Sequence, residues 1–155
     1  STPADAGALA DLHAVAWRYA YAGVIPDPGL SRMISRRGPR WWGRLHAGRG
    51  RALVAPLGPG LAGYALIGRR RDGPGAEIQE LYVRPEAQGL GFGRRLFEVA
   101  RAEFRARDMA PLTVWCLEAN GLGLGFYRAL GGRAAGRARA RVGGADLVRV
   151  RFTWD

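Results

Sequence analysis

Hydrophobic positions recur at helical spacing early in the chain and at strand spacing after it. Leu9, Leu12, Ala16 and Tyr19 share one face of a 3.6-residue period that persists to about Tyr21. Thr2-Pro3-Ala4-Asp5 opens that helix with a hydroxyl cap, a proline in the first turn and a carboxylate near the positive end. After a break from Gly23 to Pro26, Asp27-Pro28 starts a second helix that runs to about Arg37. Gly38-Pro39 interrupts it, and it resumes around Trp41-Trp42 toward His46. From Arg51 the period shortens. Residues 51–56 and 61–68 are short β-type runs joined by Gly58-Pro59-Gly60, a hairpin signal. A polar Gly/Pro-rich connection over residues 69–75 leads to a third strand, Ala76–Val83, which Arg84-Pro85 ends. A glycine-rich turn then enters a helix from about Gly91 to Arg107, on which Leu96, Val99, Ala100 and Phe104 share a face. Leu112–Leu117 is a strand, and residues 121–130 form a weak helix. Arg133–Val142 and residues 146–154 make a closing hairpin around Gly143-Gly144, with Val148, Val150, Phe152 and Trp154 on one face.

This order predicts an α/β (α+β) fold: a mixed sheet with helices on its faces. Ala76–Val83 and Leu112–Leu117 are expected to lie parallel, joined by a right-handed crossover. Nothing repeats with a fixed period and no linker divides the chain, so residues 1–155 read as one domain.

Composition changes the picture at two points. The 48% hydrophobic and 24% charged content is ordinary for a globular domain, so no disulfide or metal is needed to hold a core. There is no apolar run of membrane-spanning length and no signal-peptide pattern at Ser1, which together with cysteine usage predicts a reducing cytoplasm. Cys116 stands alone inside an apolar run. It has no partner for a bridge or a metal site and reads as a buried structural thiol. The net charge of +11 is the unusual number, and every basic residue is an arginine. Arginine, alanine and glycine in abundance without lysine fit the codon bias of a GC-rich genome; the functional alternative is an anionic ligand. Apart from Arg69-Arg70-Arg71 and the alternating Arg137, Arg139 and Arg141, the arginines are scattered, which disfavours nucleic acid as a partner.

The chemistry is concentrated in Leu81-Tyr82-Val83-Arg84-Pro85-Glu86-Ala87-Gln88-Gly89-Leu90-Gly91-Phe92-Gly93-Arg94. A strand ends, a proline stops the ladder, and alternating glycines enter a helix. Such a turn lets successive N–H groups converge on an anion, and the helix start adds free donors and the positive dipole end. It is built for a diphosphate. The Rossmann fingerprint is not met, because Gly89, Gly91 and Gly93 read G-x-G-x-G and no suitable acidic residue follows. A Walker loop is excluded by the missing lysine.

Gln88-Gly89-Leu90-Gly91-Phe92-Gly93 matches (Q/R)-x-x-G-x-(G/A), and on it the chain resembles the GNAT superfamily of acyl-CoA-dependent N-acetyltransferases over essentially its whole length. Glu80-Leu81-Tyr82-Val83-Arg84-Pro85 resembles the family's fourth strand. Asn120-Gly121-Leu122-Gly123-Leu124-Gly125-Phe126-Tyr127 is similar to its N-x-x-A-x-x-F-Y helix, with Gly131 at the usual glycine after it. The resemblance implies a sheet splayed between its two parallel strands, with the pantetheine arm of acetyl-CoA in the opening; the family's first strand would lie upstream of Ser1. It implies that backbone groups of Leu81, Tyr82 and Val83 bond pantetheine, one of them polarising the thioester carbonyl. The amides of Gln88, Gly89, Leu90, Gly91, Phe92, Gly93 and Arg94 would hold the diphosphate. Arg94, Arg95 or Arg128 would reach the 3′-phosphate, and Asn120 would touch the pantetheine arm.

An aliphatic amine must lose a proton before it attacks, so a base helps. Glu80 is the first candidate, with Glu77 and Glu118 behind it; an arginine-paired strand carboxylate is the plain alternative. By resemblance the Tyr127 hydroxyl protonates the departing thiolate, against the alternative of a core aromatic. No Cys–His–acid relay is evident, and direct transfer in a ternary complex is expected. Trp17, Tyr21, Trp41 and Trp42 either pack helices on the sheet or line an acceptor pocket. His13 and His46 lack metal spacing and are expected to face solvent or cap helices; no metal is expected. Gly121, Gly123 and Gly125 weaken the helix carrying Tyr127, and Gly132 stands where the family often has an aromatic.

The expected function is transfer of acetyl from acetyl-CoA to a primary amine, a small molecule ahead of a protein acceptor. A CoA-binding or sensing module without turnover is the main alternative, with a basic nucleic-acid-associated protein behind it. Closing hairpins often pair copies in this family, so a homodimer is among the expectations.

Overall fold

Thr2 opens the first helix as its sequence predicts: its amide donates to Asp5 Oδ2 at 2.6 Å across a single 3-10 turn, Pro3–Asp5. The computed structural model describes residues 1–48 and 50–155. Helix α1 (Ala6–Tyr21) follows, then α2 (Asp27–Ser35) and α3 (Pro39–Ala47), each of the last two begun by a proline in its first turn. Strands β1 (Arg51–Leu57), β2 (Gly60–Arg69) and β3 (Ala76–Val83) precede α4 (Phe92–Arg105), β4 (Leu112–Leu117), α5 (Gly121–Ala129), β5 (Arg133–Val142) and β6 (Ala145–Trp154). Every element expected from the pattern is present, with ends displaced by a residue or two.

The six strands form one sheet in the order β1-β2-β3-β4-β6-β5. β6, the last strand, inserts between β4 and β5, because Val150, Phe152 and Trp154 are the side chains able to fill the core beside β4. β5 carries alternating arginines and lies at the edge, where charge is tolerated. All neighbours are antiparallel except β3 and β4, which run parallel across the α4 crossover.

α1, α2 and α3 cover the front face of the sheet, with Leu9, Leu12 and Trp42 packed on Leu61, Tyr64 and Leu66. α4 and α5 cover the back, where Leu96, Phe97, Ala100 and Phe104 meet Ile78, Val114 and Phe152. Phe97 takes the core place expected of Val99, which is 41% exposed. The apolar stripe lies one position further round, and the larger ring gains more by burial. Gly132 is small for a steric reason: a Cβ there would fall 2.5 Å from the Trp154 ring, which fills the space. No helix of the described chain is long and apolar enough to cross a membrane.

The histidines divide. His46 Nδ1 lies 2.9 Å from the Trp42 carbonyl and its Nε2 2.6 Å from Ser1 Oγ, a capping role as expected. His13 does not face solvent. It is fully buried, 4.6 Å from the Trp17 ring and 5.9 Å from Trp42, and neither ring nitrogen has a partner among the described residues. Lying one turn beyond Leu9, it falls on the apolar stripe. Burial, then the charge of Arg37, lowers its pKa to about 3. The unfolded chain therefore binds this proton in the window from about pH 6.5 down to about 3. The folded state is favoured above that window and loses stability as pH falls through it. The drop in Tm between pH 7 and pH 4.5 should be several degrees smaller in His13→Leu than in the parent. Equal drops in both proteins would remove His13 as its origin.

Candidate active site

β3 and β4 pair only at Ala76↔Leu112, Glu77↔Thr113 and Ile78↔Val114. Leu66 then faces Glu80 while Ile67 faces Ile78, so Gln79 is an extra residue bulged out of β3. A bulge bends its strand and increases its twist. Beyond it β3 follows β2 alone and β4 follows β6 alone, and the parallel pair opens as a wedge. The β3 edge at Leu81, Tyr82 and Val83 is thus bonded to β2 on one side and free on the other. A cleft of about 880 Å³ fills the wedge, lined on β3 by Glu80 to Val83 and on β4 by Val114 to Leu117.

The glycine turn stands at the mouth of this cleft. Gly89 and Gly91 have φ of +75° and +90°, a conformation that a side chain disfavours. Gln88 Nε2 donates to the Val83 carbonyl at 3.3 Å, tying the turn to the strand end. Among the described residues, the amides of Gly89, Leu90, Gly91, Phe92, Gly93 and Arg94 find no backbone acceptor outside α4, and those of its first turn have none within it. The α4 dipole adds partial positive charge at the same point. Gly93 permits close helix packing, since a Cβ there would lie 3.3 Å from the Phe126 ring. Gln88, Gly89, Gly91, Gly93 and Arg94 line the cleft. The Leu90 side chain is 70% exposed at the tip, and Phe92 packs against the core, so these two offer amides only. Arg94 is the one of the three 3′-phosphate candidates on the cleft wall; Arg95 and Arg128 lie on the exposed helix surfaces.

Across the cleft, Asn120 caps α5 by accepting the Gly123 amide on Oδ1 at 3.0 Å. A Cβ at Gly123 would press within 2.8 Å of Cys116 Sγ, so this glycine brings helix and strand together. Tyr127 is 6% exposed, packed between Phe126, Phe152 and Trp154, and lines the cleft. Burial first, then nearby Cys116 and Tyr21, pushes its pKa well above the ordinary tyrosine value, so its hydroxyl keeps its proton. Burial raises the Cys116 thiol to about 11, which leaves it protonated and a poor nucleophile at neutral pH.

The candidate bases separate sharply. Glu80 Oε1 accepts from Arg37 at 2.8 Å and Oε2 from the Tyr64 hydroxyl at 2.8 Å, with the side chain 10% exposed. Burial raises its pKa, and Arg37 works against that shift. Glu77 lines the cleft without an ion-pair partner among the described residues. Glu118 is bound to Arg137 on the outer surface and does not reach the cleft. Sequence reasoning missed Arg37 and Tyr64, whose meeting with Glu80 depends on three separate elements. The aromatics divide as well: Trp42 is core, Trp17 and Tyr21 line the cleft, and the Tyr21 and Tyr82 hydroxyls bond each other across its front. Trp41 carries the Arg37 guanidinium 3.8 Å above its ring.

The family model for the acetyltransferase (GNAT) family matches residues 10–131, and the chain belongs to that family. PaiA N-acetyltransferase from Thermoplasma acidophilum, solved with coenzyme A, is 17% identical, covers 99% of this chain and 96% of its own, and superposes with a TM-score of 0.80. A GCN5-related N-acetyltransferase from Rhodopseudomonas palustris is 23% identical over 99% and 91%, also at 0.80. Ribosomal-protein-alanine N-acetyltransferase from Brucella melitensis is 23% identical over 99% and 96%, at 0.74. A search of curated proteins gives no match.

α5 is fully formed despite its three glycines, because Asn120 caps it and Tyr127 anchors it. Gly125 is exposed, and a Cβ added there would meet nothing within 4 Å. Gly125→Ala should therefore stabilise the protein by about 1 kcal/mol, read as a raised Tm. A lowered Tm would contradict the helical placement of this residue.

Proposed function

We propose that this protein transfers the acetyl group of acetyl-CoA to a primary amine by direct attack, with both substrates bound together. The run of unbonded amides from Gly89 to Arg94, set at the mouth of a cleft with a free strand edge, carries this reading. Converging amides fit a diphosphate, and the free edge of Leu81, Tyr82 and Val83 fits an extended amide-bearing arm. Donors and acceptors there would satisfy pantetheine as a neighbouring strand would. An amide of this edge is also suited to polarise the thioester carbonyl.

Glu80 acts as the base, directly or through one water. Each carboxylate oxygen retains a second lone pair after bonding Arg37 and Tyr64. Its raised pKa brings it closer to neutral pH, where a base is most effective. The amine nitrogen forms its bond to the carbonyl carbon, the carbon–sulfur bond breaks, and Glu80 takes the amine proton. The Tyr127 hydroxyl gives a proton to the departing sulfur. Protonated Cys116 supports direct transfer over an acyl-enzyme. A small-molecule acceptor is favoured because helices cover the sheet beside the cleft: α1 lines it, and Gly29 of α2 meets the β5–β6 turn so closely that a Cβ would lie 1.9 Å from the Gly143 carbonyl. The reduced lone thiol is compatible with a cytoplasmic setting.

Calorimetry with acetyl-CoA, followed by thiol release across a panel of amines, tests the reading. Binding without turnover on any amine would instead assign a CoA-binding module. Tyr127→Phe should lower kcat by 10-fold or more while acetyl-CoA still binds, and unchanged turnover would remove Tyr127 as the acid. Glu80 must be deprotonated to act, so kcat/KM should fall as pH drops through its raised pKa. Glu80→Gln should lower kcat and abolish this acid limb; a limb that survives the substitution belongs to another group.

A further inference from the structure

A second cavity of about 930 Å³ lies between Arg37 and Trp41 at the joint of α2 and α3, the β2–β3 end of the sheet, and Glu103, Phe104 and Arg107 at the end of α4. It meets the first at five residues that line both: Glu77, Gln79, Glu80, Trp115 and Arg149. The bulge at Gln79 and the candidate base Glu80 therefore stand at a waist between two spaces. One space carries the glycine turn. The other reaches the reacting region from the opposite side.

The charges around the second cavity do not balance. Glu80 is paired with Arg37, Glu103 with Arg51 and Arg107, and Asp72 with Arg70. Arg69, Arg71 and Arg149 also line it, and none of them has an ion-pair partner among the described residues; Glu77 is the one carboxylate left over. Arg149 is the one of those three at the waist. Its guanidinium lies 4.2 Å over the Trp115 ring, and its Nε is shielded from solvent without a hydrogen-bond partner. On the facing wall, Arg37 Nη1 is likewise shielded and unpartnered. A guanidinium held flat on an aromatic plane loses little freedom when an anion docks on its open edge. Arg149 is half-buried, with the Glu77 charge near it but no ion pair formed, so a ligand carboxylate that bonds its open edge gains a charge-assisted hydrogen bond.

Resting on the acetyl-transfer reading, we propose that the acceptor is an amine that also carries a carboxylate, a free amino acid, and that Arg149 binds that carboxylate. The amine then lies toward Glu80 and Glu77, and the carboxylate toward Arg149. A polycationic amine meets a positive wall and is disfavoured.

The test compares amino acids with their decarboxylated amines: tyrosine with tyramine, phenylalanine with phenethylamine, methionine with 3-methylthiopropylamine. The parent protein should favour the carboxylate member of its best pair by 10-fold or more in kcat/KM. Arg149→Gln should collapse that ratio through KM, Arg149→Lys should restore part of it, and Arg139→Gln, which removes an exposed arginine of β5 with no ion-pair partner among the described residues, should leave it intact. A parent without the preference, or a preference that survives Arg149→Gln, overturns the assignment; should that variant not fold by circular dichroism, Arg149→Lys must lower the ratio. Calorimetric binding of the same amino acids to the CoA-loaded protein separates the two claims. Arg149-dependent binding without turnover defeats acetyl transfer and keeps the carboxylate site, whereas turnover indifferent to the carboxylate does the reverse. Neither binding nor turnover defeats both.

Discussion

Three residue pairs of parallel sheet, ending at Ile78↔Val114, hold the two halves of the molecule together where its cleft begins. Everything else at the site follows from where that pairing stops. The extra residue at Gln79 falls where that pairing stops, and a bulge bends its strand away from its neighbour. Opening the wedge leaves backbone donors and acceptors of β3 without partners, a cost that a folded chain rarely accepts in its interior. The cost is tolerable only if the edge is wet or covered by something that bonds like a strand. An extended amide-bearing ligand would complete the sheet as well as occupy the cleft.

The two ends of the wedge are held by different physics. At its mouth the turn depends on backbone conformation: two glycines with positive φ and a helix start, no charged side chain being required. At its inner end the waist depends on side-chain charge held out of water, with Glu80 fixed between Arg37 and Tyr64. The helical roof over the front is fixed by sterics, through the close approach of Gly29 and Gly143. Glycine thus serves in three unrelated ways. It permits a turn, it lets α2 touch the hairpin, and at Gly123 it lets α5 reach Cys116.

Local pattern made much of this legible from the sequence. The strands Ala76–Val83, Leu112–Leu117 and Arg133–Val142 have the limits their composition implies, since each is bounded by proline, glycine or charge. The glycine turn into α4 was legible because its backbone conformation is carried by contiguous residues. What depends on contacts between distant elements was not. Arg37, Tyr64 and Glu80 lie on a helix joint and two strands, and nothing in their spacing announces that they meet. The insertion of β6 beside β4 is likewise a matter of which strand has the larger apolar face. His13 shows the limit of residue type as a guide: its position on the helical stripe decided its burial against its polarity. Val99 and Phe97 show the limit of the stripe itself, where neighbouring positions compete and ring size decides.

Burial also sets the acid–base character of the site. Desolvation is the largest influence on Glu80, Tyr127 and Cys116, and for each it favours the protonated form. The consequences differ because the starting points differ. A carboxyl shifted upward approaches neutral pH and becomes a better base; a phenol shifted upward stays a donor throughout; a thiol shifted upward is silenced as a nucleophile. Burial thus gives three side chains of one cleft three different acid–base characters. Arg37, and after it Tyr64, oppose that rise at Glu80. Arg37 is the counterweight to burial at this carboxylate, and its contact with Trp41 holds that counterweight in place.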